Sequence, residues 1–301
     1  MIAAIDCGTN TIKLLVGDLP GVAVRETRMV RLGQGVDATG RLADEALARA
    51  FAALDEYAAI LAAHDVTRLR FCATSATRDS ANAQVFADGV HARLGVWPEV
   101  LSGDEEAALS FDGAVRNLRT PVTGRVLVVD IGGGSTELVL GTTTPEAAHS
   151  MDVGSVRLHE RRLRSDPPGP AEVVACVGDI DAALDAAHAA GVDLGSADAV
   201  VGVAGTVTSV AAGVLDLPAY SAEAIDQAVL PVEEVHALVE RLVAMTVAER
   251  LALPWMHPGR ADVIDAGALV LSRVLRRTRV DSLVASEADI LDGIAWSVSG
   301  P

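Results

Sequence analysis

Aromatic side chains are scarce. Phe, Trp and Tyr make up 3% of the 301 residues, so any core has to be assembled from Ala, Val and Leu. Lysine is nearly missing: Lys13 is the only one, and every other basic residue is arginine. Cysteine is limited to Cys7, Cys72 and Cys176, an odd and widely spaced set. It fits neither a disulfide framework nor a zinc site, and it accords with a reducing cytoplasm. Positive charge is in deficit, 24 basic against 41 acidic residues, for a formal charge of −17. That balance speaks against nucleic acid or an anionic membrane as partner, since both need a basic face. Long apolar runs are lacking too. The strongest, Ala199 to Leu215, lies between Asp198 and Asp216, contains glycines and hydroxyl residues, and is shorter than the ~20 residues a membrane span needs. The opening MIAAIDCGTN has no basic region ahead of an apolar one, so no targeting segment is expected and a soluble cytoplasmic protein is.

What the chain does have is bulk and pattern. Half of it is hydrophobic and 22% is charged, enough for one large or two medium domains with a sizeable core. Two stretches, Ile5–Gly17 and Val129–Gly141, align without a gap at an offset of 124 residues. Each reads as an apolar strand ending in an Asp, a turn of Gly, Thr, Asn or Ser, and a second apolar strand. That is a β-hairpin with an acid at its mouth, occurring twice. Repetition at so long a spacing points to a duplicated domain and not to a solenoid.

Between and after the hairpins, the patterns predict a helix over 42–63, a strand over 68–74 and a helix over 79–94 capped by Asp79 or Ser80. A strand over 96–101 and a helix from Ser102 to about Leu118 follow. Later come helices over 171–190, 232–244, 261–277 and 290–297, and a strand over 199–203 that runs into Gly202-Val203-Ala204-Gly205-Thr206. Strands and helices alternate in both halves, which is an α/β fold. The junction is expected at Pro121 to Gly124, giving domains of 1–122 and 123–287 with 288–301 beyond them.

Asp130 to Glu137, DIGGGSTE, carries the strongest chemical signal. Gly132, Gly133 and Gly134 at a hairpin tip let backbone N–H groups reach an anion, and Ser135 and Thr136 add hydroxyls. Asp130 and Glu137 are hard oxygen donors suited to a divalent metal beside that anion. The bland alternative is a tight turn with two solvated acids, and the framing acids and buried strands favour phosphate binding. The first hairpin repeats the arrangement with Asp6, Gly8, Thr9, Asn10 and Thr11. Lys13 shares the strand parity of Asp6 and Thr11, so it either faces the same phosphate or is a plain surface lysine. Gly205 and Thr206 open a helix after a strand, a junction that offers free N–H groups to an anion. Glu105 and Glu106 stand in a first helical turn, where capping is the default role and activation of water the alternative. Cys7 has no evident His partner and reads as a small hairpin residue.

Taken together, AIDCGTNTIKLLV, ATSATRDSAN, LSGDEEA, MDVGSVRLHE, VVDIGGGSTELV, GVAGTVTS and HPGRADVIDAGALVL resemble the exopolyphosphatase and guanosine pentaphosphate phosphohydrolase (Ppx/GppA) family, over nearly the whole chain. The resemblance implies the actin/hexokinase/Hsp70 superfold, two ribonuclease-H-like domains with an interdomain cleft, and a last helix that packs back on the first domain. It implies Glu105 as catalytic base, Asp6, Asp130 and Glu137 around a magnesium ion that manganese can replace, and Arg78 near the phosphates. Lys13 departs from the arginine many members carry, and the chain lacks the helical extension of long members. It therefore resembles the short actinobacterial type, with binding expected to rest on the terminal few phosphates.

The reading that follows is a Mg²⁺-dependent hydrolase removing the terminal phosphate of inorganic polyphosphate, acting as a homodimer. Its rivals are hydrolysis of guanosine pentaphosphate (pppGpp) at the same loops, an actin-like ATP-dependent kinase, and a non-enzymatic phosphate sensor.

Overall fold

The computed structural model describes residues 1–120 and 122–299. Its elements, in chain order, begin with β1 (Ile2–Cys7), β2 (Thr11–Asp18), β3 (Gly21–Met29), α1 (Val36–Thr39), α2 (Asp44–Ala63), β4 (Arg68–Ala73), α3 (Ser75–Arg78), α4 (Ala83–Leu94), β5 (Glu99–Val100) and α5 (Gly103–Arg116). There follow β6 (Val126–Ile131), β7 (Thr136–Gly141), β8 (Pro145–Met151), α6 (Ser155–Arg162), α7 (Pro170–Ala189), β9 (Ala199–Val203), α8 (Ala204–Val214) and α9 (Ala222–Ile225). The chain closes with β10 (Val229–Pro231), α10 (Val232–Ala244), α11 (Val247–Leu251), α12 (Ile264–Leu275), β11 (Ser282–Ala285) and α13 (Ile290–Ser299).

The chain divides into two compact units. Unit 1 is Met1–Gly113 together with α13, and unit 2 is Ala114–Asp289. The contact division thus falls inside α5, ahead of the turn residues at which the sequence places the junction. Pro121, the first residue of that expected junction, and residues 300–301 of the expected 288–301 segment lie outside the described residues.

Unit 1 is built on a five-stranded sheet in the order β3-β2-β1-β4-β5. The first hairpin is β1 and β2, antiparallel with Asp6 opposite Lys13, and β4 joins β1 in parallel. One face is covered by α2 and α4, which bury Leu47, Leu54, Tyr57, Phe86 and Val90 against Ile5, Ile12 and Leu14. The other face is covered by α13, whose Ile290, Leu291, Ile294 and Ala295 pack on Ile2, Ala4, Leu15 and Cys72. Each such buried aliphatic side chain contributes about 1.5–3 kcal/mol. Gly293 lets α13 settle: a Cβ there would fall on the Leu109 carbonyl of α5.

Unit 2 repeats the plan with six strands, ordered β10-β11-β9-β6-β7-β8. Here β6 and β7 are the second hairpin, with Asp130 opposite Glu137, while β9 pairs with β6 and β11 with β9 in parallel. The two sheets share three antiparallel strands followed by parallel ones, the ribonuclease-H-like arrangement, so the 124-residue offset is a duplicated α/β unit.

Four strands escape the hydrophobic pattern. Outer strand β3 is largely exposed and β8 mostly half-buried, both carry charged or small residues, and β10 and β11 are only three and four residues long. The expected helix over 79–94 begins only at Ala83, as α4, with the short α3 ending just ahead of the expected start, and neither cap candidate caps it. The Ser80 hydroxyl donates back to the Ala76 carbonyl, and the Asn82 amide grips both backbone groups of Leu42, at 2.8 and 2.9 Å. The expected strand over 96–101 shrinks to β5.

The three cysteines are free and buried, as a packing role requires. Burial raises the Cys7 thiol well above its usual value and pushes Cys72 and Cys176 up to about 12. Among the described residues, no helix is long and apolar enough to cross a membrane.

Candidate active site

Each unit presents one hairpin tip, and the two tips are held in the same way. In unit 1 the Gly8 N–H donates to the Thr11 carbonyl at 2.9 Å; 124 residues on, the Gly132 N–H donates to the Ser135 carbonyl at 3.0 Å. The tip carbonyls are tied to the segment that follows each three-stranded meander. The Thr9 carbonyl accepts from the Gly33 N–H, and the Asn10 carbonyl from those of Val30 and Arg31. In unit 2 the Gly132 carbonyl accepts from the Ser155 N–H, and the Gly133 carbonyl from Val156 and Arg157 in the first turn of α6. The Gly134 carbonyl accepts from the Arg157 guanidinium, Nε at 2.7 Å.

This bonding sets the direction of the opposite groups. Cis peptides occur only before Pro20 and Pro167 among the described residues, so every tip peptide is trans and planar. An N–H therefore points opposite to the carbonyl of its own peptide. With the carbonyls of 132, 133 and 134 turned toward α6, the N–H groups of Gly133, Gly134 and Ser135 face away from it. The N–H groups of Asn10 and Thr11 face away from the 30–33 segment for the same reason. Glycine is needed at the start of α6: a Cβ on Gly154 would lie 2.5 Å from the Gly133 carbonyl oxygen.

The acids at the hairpin mouths differ in their company. In unit 1, Lys13 Nζ stands 3.5 Å from Asp6 Oδ2, and both side chains are largely buried. In unit 2 the position opposite the Asp is another acid. Asp130 is 6% and Glu137 1% exposed, and Glu137 Oε1 accepts from the Ser150 hydroxyl at 2.7 Å. Thr9 is fixed by its hydroxyl contact with Ser75, 3.0 Å away at the start of α3.

Thr206 is buried in the first turn of α8 against Gly267 of α12, where a Cβ would approach the threonine hydroxyl to 2.6 Å. Gly205 leaves room for the Arg260 guanidinium, which also donates to the Ser209 hydroxyl at 3.3 Å. Ala204, between them and β9, sits at φ 66°, a left-handed conformation costing a non-glycine residue about 1–2 kcal/mol. Arg260 and Arg157 were both within quoted motifs, yet their parts are visible only in three dimensions.

The two glutamates of α5 separate. Glu105 is exposed and its Oε2 accepts from the Ser102 N–H (2.9 Å) and hydroxyl (2.8 Å), while its own N–H donates to the Ser102 hydroxyl. That is a capping box, and these bonds hold its carboxyl below the ordinary value. Glu106 is turned about 100° around the helix and is buried, 7% exposed. Its Oε2 lies 3.2 Å from Arg78 Nη1, which also donates to the Leu101 carbonyl at 2.9 Å. The spacing Ser-x-x-Glu was the available signal for the cap.

The sequence pattern of the Ppx/GppA phosphatase family matches residues 15–298. The chain belongs to that family. Exopolyphosphatase 2 of Mycobacterium tuberculosis is 48% identical to it, over 99% of this chain and 98% of its own length. Exopolyphosphatase 1 of Mycobacterium bovis is 30% identical over 94% of this chain and 83% of its own. The crystal structure of an exopolyphosphatase-like protein superposes with a TM-score of 0.96 at 44% identity, covering 99% of this chain and 98% of that one. The family membership inferred from the motifs is thereby established, and the two α/β units are the fold of its solved relatives.

The donor set at Asp130 and Glu137 fits magnesium. Among the described residues no three His, Cys, Asp or Glu side chains gather into a cage. Magnesium seldom uses one: it keeps several waters and takes one or two carboxylates plus substrate phosphates.

Proposed function

We propose that the protein is an exopolyphosphatase that hydrolyses the terminal phosphoanhydride bond of inorganic polyphosphate. The observation that carries this reading is that each unit has a hairpin tip whose N–H groups are left facing outward by the bonding of its carbonyls, in a chain alike from end to end to a named exopolyphosphatase. Three successive N–H groups at Gly133, Gly134 and Ser135 suit an anion with several oxygens and stay put while its charge develops. Asn10 and Thr11, with Gly8 permitting close approach, offer the same on unit 1, and Lys13 and Arg78 add cations. Gly205 and Thr206 contribute the start of α8. Asp130 and Glu137 would hold Mg²⁺, or Mn²⁺ in its place, with Asp6 oriented by Lys13; the ion would supply neutralisation of phosphate charge.

The base is reassigned within α5. The Glu105 carboxylate is turned back to Ser102, accepting two bonds from it at Oε2, whereas Glu106 lies inward beside Arg78, so Glu105 caps and Glu106 takes the proton from the attacking water. A net charge of −17 does not oppose the substrate, because binding rests on local N–H groups and cations inside an acidic exterior.

Phosphate release from short polyphosphate, long polyphosphate, pppGpp and ATP, with Mg²⁺ or with EDTA, tests the proposal. Release from short polyphosphate that stops with EDTA and returns with Mg²⁺ or Mn²⁺ is expected. Turnover of pppGpp alone would move the substrate to the alarmone, and binding without turnover would make the protein a sensor.

A further inference from the structure

We infer that Arg157 is a positioning residue for this chemistry: its guanidinium fixes the Gly134–Ser135 peptide so that the Ser135 N–H faces phosphate. The inference rests on the reading above that the unit 2 tip binds phosphate. The backbone N–H groups of α6 hold the Gly132 and Gly133 carbonyls, and the next carbonyl, Gly134, is held by a side chain instead, at 2.7 Å. At the matching position of unit 1 the Asn10 carbonyl is held by two backbone N–H groups, Val30 at 3.0 Å and Arg31 at 2.9 Å. Glycine at 134 places little restraint on its own ψ, so without the arginine this peptide is free to rotate and turn its N–H aside. The bond also carries charge. A guanidinium donating to a carbonyl polarises the whole peptide, which makes the N–H on the far side a stronger donor to an anion. Arg157 thus brings its charge to bear on phosphate through one peptide unit.

The test uses Arg157→Met and Arg157→Lys in the full chain with Mg²⁺. Two measurements are made: kcat/KM on short polyphosphate, and the backbone amide resonance of Ser135 during titration with inorganic phosphate. Arg157→Met should lose roughly tenfold or more in kcat/KM, less than the 10²–10³ for outright removal of a donor. Its Ser135 resonance should no longer respond to phosphate, while that of Gly133 still does. Arg157→Lys, with a point charge in place of the planar Nε donor, should fall between it and the parent on both measurements. A loss of fold alone would not silence one amide and spare its neighbour. Turnover of Arg157→Met within twofold of the parent, or an undiminished Ser135 response, overturns the inference. Should Arg157→Met fail to fold, a Ser135 response in Arg157→Lys equal to the parent's overturns it. If the parent protein releases no phosphate from polyphosphate, the functional reading fails, and the Ser135 titration still decides the role of Arg157.

Discussion

At the scale of single residues, the adjacent pair Glu105 and Glu106 shows how far one helix position matters. Both are acids in the first turn of α5, so composition and spacing treat them alike, and family motifs alone drew the catalytic role to Glu105. The side chains diverge because one turns back to Ser102 while the other lies inward beside Arg78. Glu106→Gln should lower kcat by roughly 10²–10⁴-fold, the range for loss of a general base, with some loss of melting temperature because Arg78 loses its charged partner. Glu105→Gln keeps an oxygen acceptor for Ser102 and should retain most of the turnover. Steady-state kinetics of both variants on short polyphosphate decide the matter; the reverse order would return the base to Glu105. The acids and glycines of both hairpins were legible in the sequence, since a hairpin's chemistry is local. Arg157 was not, because its partner Gly134 is 23 residues away and nothing in the spacing announces the contact.

At the scale of elements, three helices begin with a glutamate reaching back to the residue three before it. Glu105 bonds Ser102, Glu172 bonds Gly169 and Glu249 bonds Thr246, each accepting from a backbone N–H. All three carboxyls are held below their ordinary value by those bonds. His236 of α10, half-buried with Nδ1 2.9 Å from the Ser272 hydroxyl of α12, is lowered by burial. His257 shifts the same way for the same cause. In each case the unfolded chain binds the proton more readily than the folded one. Their stability contribution is therefore complete above the unfolded value and is lost as pH falls toward the folded one. Melting temperature should decline gently from about pH 6.5, where free histidine titrates, and again below about pH 4.3, where free glutamate does. His236→Asn should flatten the first decline without altering the second. Equal slopes between pH 5 and 7 in parent and variant would remove His236 from the account. Long amphipathic helices such as α2, α7 and α10 were legible to within two residues, because a 3.6-residue period is a strong signal. The outer strands were hidden for the opposite reason: β3 buries little and β8 is mostly half-buried, so neither carries the continuous buried pattern of the central strands.

At the scale of the whole molecule, the offset of 124 residues was enough to reveal two related α/β units, since a duplicated fold repeats its hairpin wherever the rest has drifted. What it left open is how unit 1 is closed. Its sheet carries α2 and α4 on one face and α13 on the other, and Asp292 of α13 pairs with Arg25 of β3. A protein ending at Asp289 would expose Ile2, Ala4, Leu15 and Leu101 together. Limited proteolysis of such a truncation should degrade unit 1 and spare a fragment beginning near Ala114. Survival of both units would show that α13 is dispensable for unit 1.

The same helix imposes an order of events on synthesis. Unit 2 is one continuous stretch, and all of it has left the peptidyl-transferase centre before α13 is made. Unit 1 holds residues translated before unit 2 and still waits for α13, translated after it. The half of the protein that appears first is thus finished second, and its β1 face stays uncovered while nearly three hundred residues are added. A nascent chain with that exposed apolar strand is a natural client for ribosome-associated chaperones.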